Sequence, residues 1–228
     1  MKIALALHGQ PRFFEICYQH FFSNIIENFD CDIYFHTWWS QKLINTIYPC
    51  SNHAKNTLTD EDLQITKDIP DKLIKIYQPV DFLFEDYSIF QKNPTLWNNP
   101  QYYSQWAVKD LIVESKIKYD LVIRSRFDLM CTQDLTFVYD DSLWVASCCP
   151  YTDGRFQDMF SISNQKVFEK ISDTYLNLSE FSKYGEGHDK MEWALYHQAQ
   201  KENIAVKKFK ADYESFDVLR SDTAKYFL

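Results

Sequence analysis

Residues 119 to 129 read Tyr119-Asp120-Leu121-Val122-Ile123-Arg124-Ser125-Arg126-Phe127-Asp128-Leu129, an apolar strand that turns sharply charged at its C-terminal end. Side chains alternate along a strand, so Arg124, Arg126 and Asp128 fall on one face, clustered where the strand ends. Packing does not explain such charge. In an open α/β sheet, ligands bind in the crevice beyond the carboxyl ends of the strands, so this strand predicts both a fold and the place of a site.

The flanking sequence supports an α/β succession. Residues 2 to 8 form an unbroken apolar run that halts at Gly9, as suits a parallel strand buried on both faces. Phe14, Tyr18, Phe21, Phe22, Ile25 and Phe29 recur at helical spacing and predict an amphipathic helix over 13 to 29. Cys31 to Thr37 reads as a second strand closed by two tryptophans, which completes a βαβ unit. Residues 40 to 68 carry little pattern beyond Thr59 three residues before Asp62, a helix-capping pair. Pro70 opens a short helix ended by Pro79, and a third strand is expected over 80 to 85. A helix from about Tyr102 to Lys118, with Val108, Leu111 and Ile112 inward, leads into the charged strand. Beyond it the pattern predicts strands at 143 to 147 and 156 to 163, a helix burying Val167, Ile171, Tyr175 and Leu178, a helix over 188 to 201 and a strand over 204 to 209. The fold class expected is α/β, a Rossmann-type, mostly parallel central sheet flanked by helices. The 228 residues suffice for one domain, with a first half over about 1 to 130 and a second over about 131 to 228.

Composition narrows the partners. A formal charge of -8 argues against nucleic acid as a bulk partner, since such binding rests on clustered Lys and Arg, and leaves room for a small local anion site. No stretch is apolar for long enough to span a bilayer, and the first apolar run is too short for a secretory signal; a cytoplasmic location is expected. The six cysteines form no Cys-x-x-Cys pair, so neither a zinc module nor a disulfide framework is indicated.

Five further segments carry candidate chemistry. After the first strand, His8-Gly9-Gln10-Pro11-Arg12 combines a permissive glycine with an arginine able to pair with phosphate; the same arginine can make an ordinary surface ion pair. Thr37 and Trp38, ending the second strand, and Gln105, early in a helix, are placed to contact base, ribose or sugar, although the tryptophans can equally pack in the core. Asp158 lies in an apolar strand context and is the candidate general base, with Asp189 as a weaker rival. Tyr184 to Glu192 brings two glycines together with acidic groups and an imidazole before a helix, and His188 there is a candidate second metal ligand. Asp128 can hold Mg²⁺ or Mn²⁺ against a diphosphate whose oxygens complete the shell, or it can form an internal bridge with arginine.

Taken in order, His8 to Arg12, Asp32 to Trp38, Tyr119 to Asp128 and Gln157-Asp158-Met159-Phe160-Ser161-Ile162-Ser163 resemble the small bacterial and giant-virus glycosyltransferases with a GT-A-like fold. The resemblance spans nearly the whole chain. It implies transfer of a hexosyl or pentosyl group from a nucleotide-diphosphate sugar of UDP or GDP type to a glycan or polysaccharide, with Mn²⁺ or Mg²⁺ as cofactor. By that likeness Arg12 faces the donor diphosphate, Asp128 carries the metal, Asp158 lies near the acceptor, and His8, Gly9, Gln10, Arg124 and Arg126 help bind the donor. Many such enzymes carry Asp-x-Asp where this chain has Arg126-Phe127-Asp128, and Arg126 can itself neutralise phosphate. A sugar-phosphate nucleotidyltransferase, or a binding module whose transferase site has decayed, would also suit an α/β sheet with an anion site.

Overall fold

The computed structural model describes residues 1–48, 58–88, 100–131, 140–146, 156, 158–181, 190–208 and 216–218. Its centre is a seven-stranded sheet built from β1 (Lys2–Gly9), β2 (Asp30–Trp38), β3 (Asp81–Glu85), β4 (Leu121–Arg126), β6 (Leu143–Val145), β7 (Phe160–Ser163) and β8 (Val206–Lys208). The spatial order is β3-β2-β1-β4-β7-β6-β8. Strands β1 to β4 are mutually parallel where they pair, β7 runs antiparallel to both β4 and β6, and β8 is parallel to β6. The expected α/β class and mostly parallel sheet are thus present. A separate pair, β5 (Leu129–Cys131) with β9 (Phe216–Val218), is antiparallel and was not foreseen from the sequence.

The alternation along β1 explains how the two faces are filled. Ile3, Leu5 and Leu7 face α1 (Phe14–Phe21) and α3 (Ile69–Tyr77) in a core that also takes Phe35, Ile123 and Phe127. Ala4 and Ala6 face the other way, against Val108 and Ile112 of α4 (Pro100–Glu114). The small alanines leave room for that helix to sit close on the sheet.

Several boundaries differ from the sequence expectation, each for a local reason. The first helix passes into a π-helical turn, Phe22–Ile26; its wider closure leaves Phe22 40% exposed while Ile25 is fully buried, so Phe22 is not the core residue its spacing predicts. α2 (Asp60–Leu63) is only one turn long, but Thr59 and Asp62 form the reciprocal capping box. α4 begins at Pro100, a good first helical residue, and ends at Glu114 rather than 118, with Lys116 at positive φ. The helix expected to bury Val167 through Leu178 is broken into α5 (Gln165–Ser172), a 3-10 turn Tyr175–Asn177 and α6 (Leu178–Phe181). α7 is Lys190–Lys201. Among the described residues no helix is long and apolar enough to cross a membrane.

Candidate anion site at the carboxyl edge of the sheet

Because β1, β2 and β4 are parallel, their carboxyl ends open at the same edge. In register, His36, His8 and Arg126 form one row across β2, β1 and β4, and Tyr34, Ala6 and Arg124 form the row behind it, all toward α4. Strand β7 runs the opposite way, so its amino end meets that edge: Phe160 pairs with Ser125, which sets Asp158 just beyond the end of β4. Every charged side chain buried among the described residues, Arg12, Arg124 and Asp128, lies here.

Asp128 is 1% exposed and is held by two guanidinium groups. Arg126 grips it side-on, Nε donating to Oδ1 at 2.8 Å and Nη2 to Oδ2 at 2.6 Å, and Arg12 donates from Nη2 to Oδ2. Asp128 keeps Arg126 charged against the opposing effect of burial. Arg124 is fully buried and gives one hydrogen bond, from Nη1 to Gln105 Oε1 at 2.6 Å. Burial pushes its guanidinium down to about 10, with Asp158 and Tyr102 acting the other way, so it too is a cation at neutral pH.

These groups are not all satisfied. Arg124 Nε and Nη2, Arg12 Nε, Gln105 Nε2 and both ring nitrogens of His8 are buried without a hydrogen-bond partner. Buried polar groups are normally paired, and each orphan costs about 1–3 kcal/mol. Unpaired donors beside three cations are an arrangement that suits an anion.

A second network fixes the loop that carries Arg12. Gly9, at φ +96, is in the left-handed region that favours glycine. Its N–H donates to Ser104 Oγ at 2.8 Å and its carbonyl accepts from Thr37 Oγ1 at 2.7 Å. Ser104 Oγ also meets His36 Nδ1 at 2.6 Å, and His36 Nε2 meets Glu85 Oε2 at 2.9 Å. With the carboxylate as acceptor, Nε2 carries the proton and Nδ1 accepts from the serine. A buried chain thus runs from α4 through β2 to β3 and anchors the turn at the end of β1.

The expected site residues sort as follows. His8, Gly9, Arg12, Gln105, Arg124, Arg126 and Asp128 converge, with Gln10 half-buried in the same turn and Thr37 as its anchor. Asp158 stands at the rim and accepts from Gln101 Nε2 at 2.6 Å. Trp38 is 2% exposed and packs with Tyr48, Leu58, Leu63 and Ile65, so its ring belongs to a core cluster. His188 and Asp189 lie outside the described residues. Sequence reading missed Gln101, Ser104 and Glu85. Gln101, Ser104 and Gln105 continue the inward face of Val108 and Ile112 toward the start of α4, and the change from apolar to polar along one helical stripe was the available signal.

Among the described residues Asp128, expected to bind Mn²⁺ or Mg²⁺, is an ion-pair partner of Arg12 and Arg126, the internal bridge that the sequence also allowed. A divalent ion about 4 Å from a guanidinium meets roughly 8 kcal/mol of repulsion at an effective dielectric near 20, so each arginine beside Asp128 opposes a cation there. Among the described residues no group of three His, Cys, Asp or Glu could hold a metal ion. Among the described residues, those around Asp128 do not by themselves fit a resident divalent cation.

Comparison with known proteins gives glycosyltransferase structures. One is the apo glycosyltransferase GlyE of Streptococcus pneumoniae, 11% identical, with a TM-score of 0.46, covering 90% of this chain and 44% of that one. A second is a mutant Drosophila β-1,4-galactosyltransferase 7 in complex with manganese, UDP-Gal and xylobiose, 11% identical, TM-score 0.43, covering 98% of this chain and 73% of that one. A third is described as a nucleotide-diphospho-sugar transferase of Desulfovibrio desulfuricans, 11% identical, TM-score 0.40, covering 91% and 79%. This chain spans less than half of the pneumococcal protein. No protein-family model and no curated protein matches the chain.

The buried histidines give the fold a pH dependence. Burial first, then Arg124 and Arg126, holds His8 well below its ordinary 6.5; burial, only partly offset by Glu85, lowers His36. Both are therefore neutral in the folded state and take up protons on unfolding as the pH falls below about 6.5, so acid favours the unfolded chain. Stability from these two groups is fully present above that value and is lost below it, at up to about 1.4 kcal/mol per pH unit for each histidine. Urea unfolding at pH 7.5 and 5.5 is expected to show this loss, and His8→Gln is expected to reduce the slope; an unchanged slope in that variant would count against a buried neutral His8.

Proposed function

We propose that the chain is a glycosyltransferase that moves a sugar from a nucleotide-diphosphate sugar, of UDP or GDP type, to a glycan or polysaccharide acceptor. One observation carries this reading: three arginines and several unpartnered buried donors gather at the carboxyl edge of a parallel sheet, in a chain whose net charge is -8. The resemblance of the segments around Arg12, Trp38, Asp128 and Asp158 to GT-A-like glycosyltransferases supports it.

On this reading the reaction is displacement at the anomeric carbon, with negative charge growing on the departing diphosphate. Guanidinium groups fixed before the substrate arrives stabilise that charge without reorganising. Asp158, on the rim beside the arginines, takes the proton of the acceptor hydroxyl if configuration is inverted. Gln101 holds its carboxylate from behind through Oδ2.

The test is a thermal-shift series with UDP, GDP, CMP and dTDP, each with and without Mn²⁺, on the wild type. A ligand that binds only the folded chain stabilises it by mass action, by about 2.7 kcal/mol at one hundred times its dissociation constant. Stabilisation by one nucleotide and not by the others is the expected result. Silence across the series, from folded protein, would sink the donor assignment. The lock on Asp128 also favours a second reading, a binding module that has lost a metal-dependent transferase site; it predicts nucleotide binding with no turnover of any nucleotide sugar.

A further inference from the structure

We infer that the arginines replace the divalent cation at this site: Arg12 and Arg126, held in place by Asp128, neutralise the diphosphate directly, and nucleotide binding needs no metal ion. The inference rests on the nucleotide-sugar reading above and goes beyond it by assigning Asp128 as a positioning residue rather than a metal ligand.

The geometry supplies the argument. Arg126 spends Nε and Nη2 on Asp128 and keeps Nη1 outside that pair, while Arg12 spends Nη2 and leaves Nε buried and unpartnered. A guanidinium has five N–H donors, and after pairing with one carboxylate each retains donors in a fixed plane, the arrangement suited to phosphate oxygens. One carboxylate between two guanidinium groups leaves an excess positive charge. Arg124, two residues before Arg126 on the same face, adds a third cation with Nε and Nη2 unpartnered. Asp158 offsets part of this, so the edge is cationic without being flooded with charge.

The neighbourhood disfavours the alternative, because an ion at Asp128 would have to displace a guanidinium from it. Displacement would strand Arg12, whose side chain is 8% exposed, without its carboxylate. A phosphate group instead adds acceptors to donors that already lack them and leaves the pair with Asp128 intact. Pre-fixing also matters for strength. Charge-assisted hydrogen bonds from groups that need not be ordered on binding lose less entropy.

Calorimetric titration of the intact chain with UDP, GDP and inorganic pyrophosphate, each in EDTA and again with excess Mn²⁺, tests this. The expected result is binding of a nucleoside diphosphate in EDTA with the same affinity as in Mn²⁺, competed by pyrophosphate, and weakened about tenfold or more by Arg126→Gln, which removes charge-assisted bonds. Binding that appears only with Mn²⁺ would overturn the inference while leaving the nucleotide reading in place. No binding under either condition would overturn both. A folded Arg126→Gln protein with unchanged affinity for UDP and GDP would also overturn it, since a purely structural arginine would leave affinity alone. The comparison of EDTA with Mn²⁺ uses wild-type protein and so stands whatever the stability of the variants.

Discussion

Asp128→Ala is expected to lower the melting temperature by about 10 °C and to do so whether or not nucleotide or metal is present. The substitution removes one carboxylate and leaves two guanidinium groups facing each other, Arg12 with a side chain 8% exposed and Arg126 with one 21% exposed. Removing one partner of a buried ion pair costs about 3–5 kcal/mol, because the remaining charge stays desolvated and unpaired. Partial exposure of Arg126 moves the cost toward the lower end. For a chain of this size about 1 kcal/mol corresponds to roughly 2–4 °C. A carboxylate kept open for a metal ion behaves in the opposite way: its removal leaves stability unchanged or raises it, and the only loss is in binding. Differential scanning calorimetry of the wild type and of Asp128→Ala separates the two. A melting temperature unchanged within 2 °C, on the order of the smallest resolvable loss of an ion pair, would mean that the Arg12–Asp128–Arg126 cluster contributes nothing to the fold.

Asp158→Asn is expected to lower kcat by about 10²–10⁴ while leaving the KM for the donor nearly unchanged, the range for loss of a positioned general base. The substitution is close to isosteric, and the asparagine carbonyl still accepts the hydrogen bond from Gln101 Nε2, so the fold has little to lose. Donor affinity on the proposed reading comes from the arginines, which the change does not touch. A loss confined to kcat is therefore the signature of an interaction made only as the reaction proceeds. An unchanged kcat would remove Asp158 from the chemistry and point to a mechanism without a base at that position. A rise in KM with kcat intact would make it a binding residue.

Much of this site was legible in the sequence because its pieces lie at strand ends. The apolar run of β1, broken by His8 and Gly9, and the charge at the end of β4 are visible as abrupt departures from a hydrophobic pattern, and parallel strands must place such departures on one edge. Which face of β1 receives a close helix was not read from the sequence: Ala4 and Ala6 pack against Val108 and Ile112, while Leu5 and Leu7 lie in the opposite core. The polar stripe of Gln101, Ser104 and Gln105 was harder to read, because glutamine and serine on a helix most often face water and only the packing of α4 on the sheet turns them inward. The π turn at Phe22–Ile26 and the break of α5 before Tyr175 were hidden for a related reason: spacing reports the average period of a segment and is blind to a single wide or tight turn.

What the sequence determined by itself was the succession of elements, the edge on which chemistry would gather and the residue types brought to it, since all of these follow from local periodicity and the direction of parallel strands. What only the tertiary structure decided was the state of those residues. Whether Asp128 meets a second guanidinium beside that of Arg126 depends on where Arg12, 116 residues earlier, points its side chain. That is set by the anchoring of the β1 turn through Gly9, Ser104 and His36, contacts between segments 28 to 95 residues apart that no local pattern encodes. Electrostatic roles are fixed by distances of a few ångströms across the fold, and a chain read along its length contains residue identities but not those distances.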